Sequence, residues 1–152
     1  MKRAALVFSG IVSLSLFLLF IGRTASLSET VKAEKPQVIG MLFYADGCAS
    51  CKVLEPKLKE VVREFQGQGI LFTRFDLTDE FTKDQSALYA AWVDLDEVYR
   101  DNPKTGFMLL INPKTKNVLG TLAKNQSPEE LRKNIQTALA SVQKESQHKE
   151  TP

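Results

Sequence analysis

Phe43-Tyr44-Ala45-Asp46-Gly47-Cys48-Ala49-Ser50-Cys51-Lys52-Val53-Leu54-Glu55-Pro56 carries the only two cysteines of the 152-residue chain. The run before it, Val38 to Tyr44, is apolar throughout and is bounded by Pro36 and by Asp46-Gly47. That pattern predicts a strand buried on both faces. After the cysteines, Leu54, Leu58, Val61, Val62 and Phe65 recur at helical spacing, with Lys57, Lys59, Glu60, Arg63 and Glu64 on the other side. Gln66-Gly67-Gln68-Gly69 stops that helix. Cys48 is therefore expected at the first turn, where free backbone N–H groups and the helix dipole favour a thiolate. Cys51 lies about one turn further on, within reach of a mixed disulfide formed at Cys48. Lys52 adds a positive charge nearby.

Outward from this segment, Ile70 to Asp76 reads as a second strand. Leu88, Trp92, Leu95 and Tyr99 predict a helix near 83–100, with Trp92 in the core. Asn102-Pro103-Lys104-Thr105-Gly106 ends it. Phe107–Asn112 and Asn117–Leu122, joined by the turn Pro113–Lys116, read as a hairpin. Ser127-Pro128-Glu129-Glu130 has the form of a capping box with proline at the first helical position. Leu131, Ile135, Ala138, Leu139 and Val142 give that last helix its apolar stripe. The fold class is α/β: a βαβ unit, a helix, and a ββα ending make a small mixed four-stranded sheet flanked by helices. The domain is read as 34–143, and the polar residues 144–152 as a disordered tail.

Lys2 and Arg3 precede an uncharged run from Ala4 to Gly22. Residues 1–33 are thus a signal peptide or an N-terminal membrane anchor plus linker. Arg23 directly after the run favours an anchor, and the small residues Thr24 to Ser28 are compatible with cleavage. Either way the domain is expected on the exported, periplasmic or equivalent side. Four of the 20 basic and one of the 18 acidic residues lie in 1–33, which leaves 16 against 17 beyond it. That balance has no clustered basic footprint, so nucleic acid is not an expected partner. In an oxidising compartment an exposed pair rests as a disulfide, so a working dithiol there needs a membrane or exported thiol electron donor, or serves as an oxidant.

A closed zinc site needs four ligands, and the one histidine, His148, lies in the polar tail. No cofactor is expected. Asp94, Asp96, Glu97 and Asp101 read as a solvated helix face.

The segment from Phe43 to Lys52, with Pro56 five residues after the second cysteine, resembles the thioredoxin active site. The order of elements from about 38 to 142 is similar to a thioredoxin-like fold without its first strand and helix, and the leader is similar to that of exported members. The resemblance implies Cys48 as nucleophile, Cys51 as resolving thiol, Pro56 as a helix kink, and protein disulfides as substrates. Gly47, Lys52, Pro56, Thr105 and Gly106 would form the supporting loops. The sequence departs from the family at three places. Gly47 stands where the family has Trp. Leu42 stands where it has a buried acid, so proton removal from Cys51 falls to water or Glu55. Thr105-Gly106-Phe107 stands where it has a cis-proline, which shapes the substrate groove and keeps metals off the thiols. The expectation is an exported thiol–disulfide oxidoreductase that reduces protein disulfides. The alternatives are a soft-metal module holding Cu(I) between two thiolates, or a non-catalytic scaffold with a structural disulfide. The segment 77–106 exceeds the corresponding thioredoxin connection, as a recognition insertion or a longer helix.

Overall fold

The computed structural model describes residues 35–149, with side chains to Gln147. The leader reading for 1–33 and residues 150–152 lie outside it. Met1–Ala33 and Glu34–Pro152 are separate units. Among the described residues, no helix is long and apolar enough to cross a membrane.

The elements are β1 (Val38–Tyr44), α1 (Ala49–Val61) with a closing 3-10 turn (Val62–Phe65), β2 (Ile70–Asp76), α2 (Glu80–Trp92), α3 (Asp96–Asp101), β3 (Phe107–Ile111), β4 (Val118–Ala123) and α4 (Pro128–Lys149). The sheet order is β2-β1-β3-β4. β1 runs parallel to β2, with Tyr44 opposite Asp76, and antiparallel to β3, with Phe43 opposite Phe107. β1 is central, which is why its sequence is apolar without alternation. Its even positions Val38 and Leu42 pack with Leu54, Leu58 and Val61 of α1 and Leu131 and Ile135 of α4. Its odd positions Ile39, Met41 and Phe43 pack on the other face with Phe75, Ala90 and Leu95. The result is a thioredoxin-like fold, a mixed four-stranded sheet flanked by helices, as the order of elements predicts.

The expected helix over 83–100 is instead two helices. α2 stops at Trp92, Asp94 takes the left-handed conformation (φ 58°), and α3 starts at Asp96. This break reassigns the apolar stripe. Leu95 is buried, whereas Leu88 and Trp92 point to solvent. α2 meets the sheet instead through the small residues Ser86 and Ala90, both buried. The Ser86 hydroxyl donates to the Asp76 carbonyl at 3.0 Å and accepts from the Asp76 N–H at 2.8 Å. A bulky residue there would hold the helix off the strand end.

α4 also differs from expectation. It continues to Lys149, so residues 144–149 are helical rather than a disordered tail. Val142 is buried, and Asn112, itself in the core, donates from Nδ2 to Glu145 Oε2 at 3.0 Å. These contacts carry the helix past its apolar stripe. At its start Ser127 and Glu130 make the expected reciprocal cap, at 3.2 and 2.7 Å.

The two helices on one face are tied by charge. Arg132 of α4 donates from Nε and Nη2 to the two oxygens of Glu64, each at 2.6 Å. That fork holds the Glu64 carboxyl below its ordinary range. A depressed folded-state value stabilises the fold above the unfolded value, and the contribution is lost as pH falls through the folded one. The pair is exposed, so the effect is small. Glu64→Gln is expected to lower the urea midpoint at neutral pH, and the gap should close as pH falls below the usual glutamate range. A gap that is constant across that range would remove the pair from the account.

Candidate active site

β1 ends at Tyr44 and the chain turns through Ala45–Gly47 into α1. The turn is pinned. The Cys48 N–H donates to the Ala45 carbonyl at 3.1 Å, and the Asp46 N–H donates to Thr78 Oγ1 at 3.0 Å. Cys48 is the N-cap of α1, with extended backbone (φ −77°, ψ 107°). Its Sγ accepts the Cys51 N–H at 3.0 Å. Sulfur thus occupies the place of a capping oxygen, and a free N–H aimed at it favours the thiolate.

Cys48 and Cys51 are joined as a disulfide, with Cα atoms 5.2 Å apart. The two sulfurs differ in access. Cys48 is half-buried, whereas Cys51 is 1% exposed. Cys51 Sγ lies 3.8 Å from the Phe43 carbonyl oxygen. In the reduced state its S–H would donate there. Phe43 is fixed by stacking on Phe75 and Phe107, with ring centroids 6.0 and 5.1 Å away.

The supporting residues fall into two groups. Gly106 is buried against the disulfide, and its N–H donates to the Phe43 carbonyl at 2.8 Å. The same carbonyl is therefore shared by Gly106 and Cys51. Gly106 has φ +97°, and a Cβ built there would lie 2.5 Å from Ser50 Cβ and 3.2 Å from Cys48 Sγ. Among the described residues there is no cis peptide bond, so this loop reaches the dithiol by glycine geometry. Thr105 beside it is half-buried. Gly47, Lys52 and Pro56 form the exposed group. A side chain at Gly47 would meet no atom within 4 Å. Pro56 lies inside α1, where it lacks the N–H that would bond Lys52.

Leu42 is 7% exposed and packs with Leu54 and Leu58, so this position holds no proton acceptor. Glu55, the acceptor suggested by the sequence, is engaged elsewhere: its Oε1 is 3.3 Å from Lys59 and 3.9 Å from Arg74. Arg74 also covers the Tyr44 ring at 3.5 Å and pairs with Asp76 at 2.8 Å. Tyr44 in turn donates to Asp46 Oδ1 at 3.0 Å, which raises its hydroxyl above the ordinary tyrosine value. Neither this brace nor the shared carbonyl leaves a mark in the sequence. Backbone acceptors have no sequence signature, and Arg74 meets Tyr44 only through strand pairing. Lys57 lies on the side of α1 away from its apolar stripe, as its spacing predicts. It donates to the carbonyls of Lys124 and Gln126, at 2.8 and 2.7 Å.

Residues 20–88 match the family model Thioredoxin. No curated protein matches the chain. Among solved structures, the chain is similar to a thiol:disulfide interchange protein of the thioredoxin family from Chlorobium tepidum TLS (17% identity, 69% of this chain and 81% of that one, TM-score 0.48). It is also similar to the thioredoxin domain of a thiol-disulfide oxidoreductase from Bacteroides vulgatus (14%, 69% and 81%, TM-score 0.45). A third is StoA from Bacillus subtilis (14%, 68% and 85%, TM-score 0.46). The family match runs through β1, the cysteine turn, α1 and β2, the elements that place the disulfide just past the C-terminal end of the central strand. Over residues 20–88 the chain is thus similar to the thioredoxin family, and its sheet order and its Cys48–Cys51 disulfide agree with a thioredoxin-like fold.

Proposed function

We propose that this chain is an exported reductant of protein disulfides, resupplied by a membrane or exported thiol donor. The observation that carries the reading is the asymmetry of the pair: a half-buried Cys48 sulfur that accepts a helix N–H, beside a Cys51 sulfur closed to solvent. In the reduced protein the Cys48 thiolate attacks one sulfur of a substrate disulfide, and the other leaves as thiolate. Cys51 then attacks Cys48 Sγ. The mixed disulfide breaks, the departing substrate sulfur takes up the Cys51 proton and leaves as a thiol, and the Cys48–Cys51 disulfide remains. Two electrons pass to the substrate, and a dithiol donor returns them. Export is supported by Lys2, Arg3 and the uncharged run 4–22.

The direction of flow rests on how little stabilises the thiolate. Ala49 and Ser50 bring no cation, and Lys52 is exposed. A dithiol whose reduced form is weakly stabilised gives electrons away more readily. The test is dithiothreitol-driven reduction of insulin by the full chain, with copper content measured on the same preparation. Turnover that vanishes in Cys48→Ser, without stoichiometric copper, supports the proposal. No turnover together with bound copper would favour the metal module, and no turnover without copper would favour the scaffold.

Limiting iodoacetamide added to the reduced protein is expected to label Cys48 well before Cys51, because only Cys48 combines access with an N–H donor. Label appearing first on Cys51 would reverse the roles.

A further inference from the structure

α2 leaves three large apolar side chains in solvent: Phe81 (71% exposed), Leu88 (67%) and Trp92 (86%). Their spacing puts them on one side of the helix, along about 16 Å of its length. The opposite side, Ser86 and Ala90, is the one against the sheet. Large exposed apolar side chains gathered on one helix face mark an interaction surface; here the exposed Asp84 and Gln85 lie between Phe81 and Leu88.

Its two ends differ in charge. Asp79, Glu80 and Asp84 surround the Phe81 end, where Lys83 is held by Glu80 at 2.8 Å. The Trp92 end opens on a groove whose lining includes Leu71, Pro36 and Pro113, with Lys35, Lys114 and Lys116 against the single acid Asp94. Lys116 pairs there with Asp94. A surface that is acidic at one end, apolar along its middle and basic at the other complements itself when turned end for end. Such self-complementarity is what an isologous two-fold interface requires.

We propose that α2 packs antiparallel on α2 of a second copy of this chain, with Phe81 of each copy entering the Trp92 groove of the other. Glu80 and Asp84 of one copy then face Lys35 and Lys114 of the other. The three apolar side chains expose roughly 450 Å² per copy on the usual scale for aromatic and leucine side chains. With the charged ends added, the total passes the ~1,000 Å² of a specific interface without reaching the range of permanent dimers. The dimer is therefore reversible. α2 begins at the dithiol edge, beside the Asp46–Thr78 hydrogen bond. End-for-end pairing thus leaves the two dithiols at opposite ends of the dimer, both open to substrate.

The test is sedimentation equilibrium of the full chain in density-matched non-ionic detergent, over a micromolar concentration series. Trp92 is the sole tryptophan, so its emission reports the same event and should shift blue as dimer forms. Trp92→Glu and Leu88→Glu should yield monomer with insulin reduction retained, since neither residue fills the core. Glu80→Lys with Asp84→Lys should weaken association by about tenfold or more, and adding Lys35→Glu with Lys114→Glu should restore it. Three results would overturn the proposal: monomer at every concentration, association that survives Trp92→Glu, or Trp92 emission that shifts only when phosphatidylglycerol vesicles are added. The second would assign association to the apolar run 4–22, and the third would assign the stripe to lipid.

Discussion

Cys51→Ser is expected to turn the chain into a trap for its substrates. Cys48 keeps its N-cap position and the Cys51 main-chain N–H, because serine leaves the backbone unchanged. The first attack on a substrate disulfide therefore proceeds. Release then depends on an outside thiol instead of one fixed a helical turn away. An intramolecular thiol acts at an effective concentration far above any added reductant, so release should slow roughly 100-fold or more. The measurement is a non-reducing gel of exported extract from cells that express the variant, beside Cys48→Ser/Cys51→Ser. Reducible high-mass bands found only with the single variant are the expected result. Identical lanes would leave the disulfide without protein substrates and favour a metal-binding or structural role.

Gly106→Ala carries the other large effect. The backbone there has φ +97°, and the added Cβ would lie 2.5 Å from Ser50 Cβ, inside the turn that joins the cysteines. Left-handed strain and overpacking together are expected to cost about 2–5 kcal/mol in unfolding free energy. Relief by moving Ser50 would also shift Cys48, so the pH profile of Cys48 alkylation should move with stability. Gly106→Pro should be worse, because it also removes the N–H given to the Phe43 carbonyl at 2.8 Å. Urea unfolding of the oxidised protein measures the first effect, and alkylation of the reduced protein the second. A Gly106→Ala protein with unchanged midpoint and unchanged profile would refute the close packing of this loop on the dithiol.

How much of this was legible in the sequence depends on what kind of interaction decides each feature. β1 and α1 were readable because burial on two faces or on one stripe leaves a periodic record, and the cap at Ser127 because its partner is three residues away. The position of Cys48 followed from the same local logic. Trp92 was misplaced because periodicity assumes a continuous helix, and Asp94 breaks it with a single left-handed residue that has no strong signature. The end of α4 was misplaced because a polar segment is held there by Asn112, more than thirty positions away in sequence. At Gly106 the residue types show only that proline is absent from Thr105-Gly106-Phe107. That its N–H and Cys51 share one carbonyl is a fact of backbone packing between β1 and β3, which no residue type announces.

The central claim is that Cys48 and Cys51 form a reversible couple poised to reduce. Its most direct test is the reduction potential of the pair in the full chain, from equilibration with dithiothreitol buffers and quantified by thiol labelling. With one N–H donor on Cys48 and no cation in the intervening dipeptide, the account predicts a value near or below about −250 mV, the range of reducing dithiols. A value above about −150 mV, the range of strong oxidants, would contradict the proposed direction, and a pair that never equilibrates would contradict the couple itself.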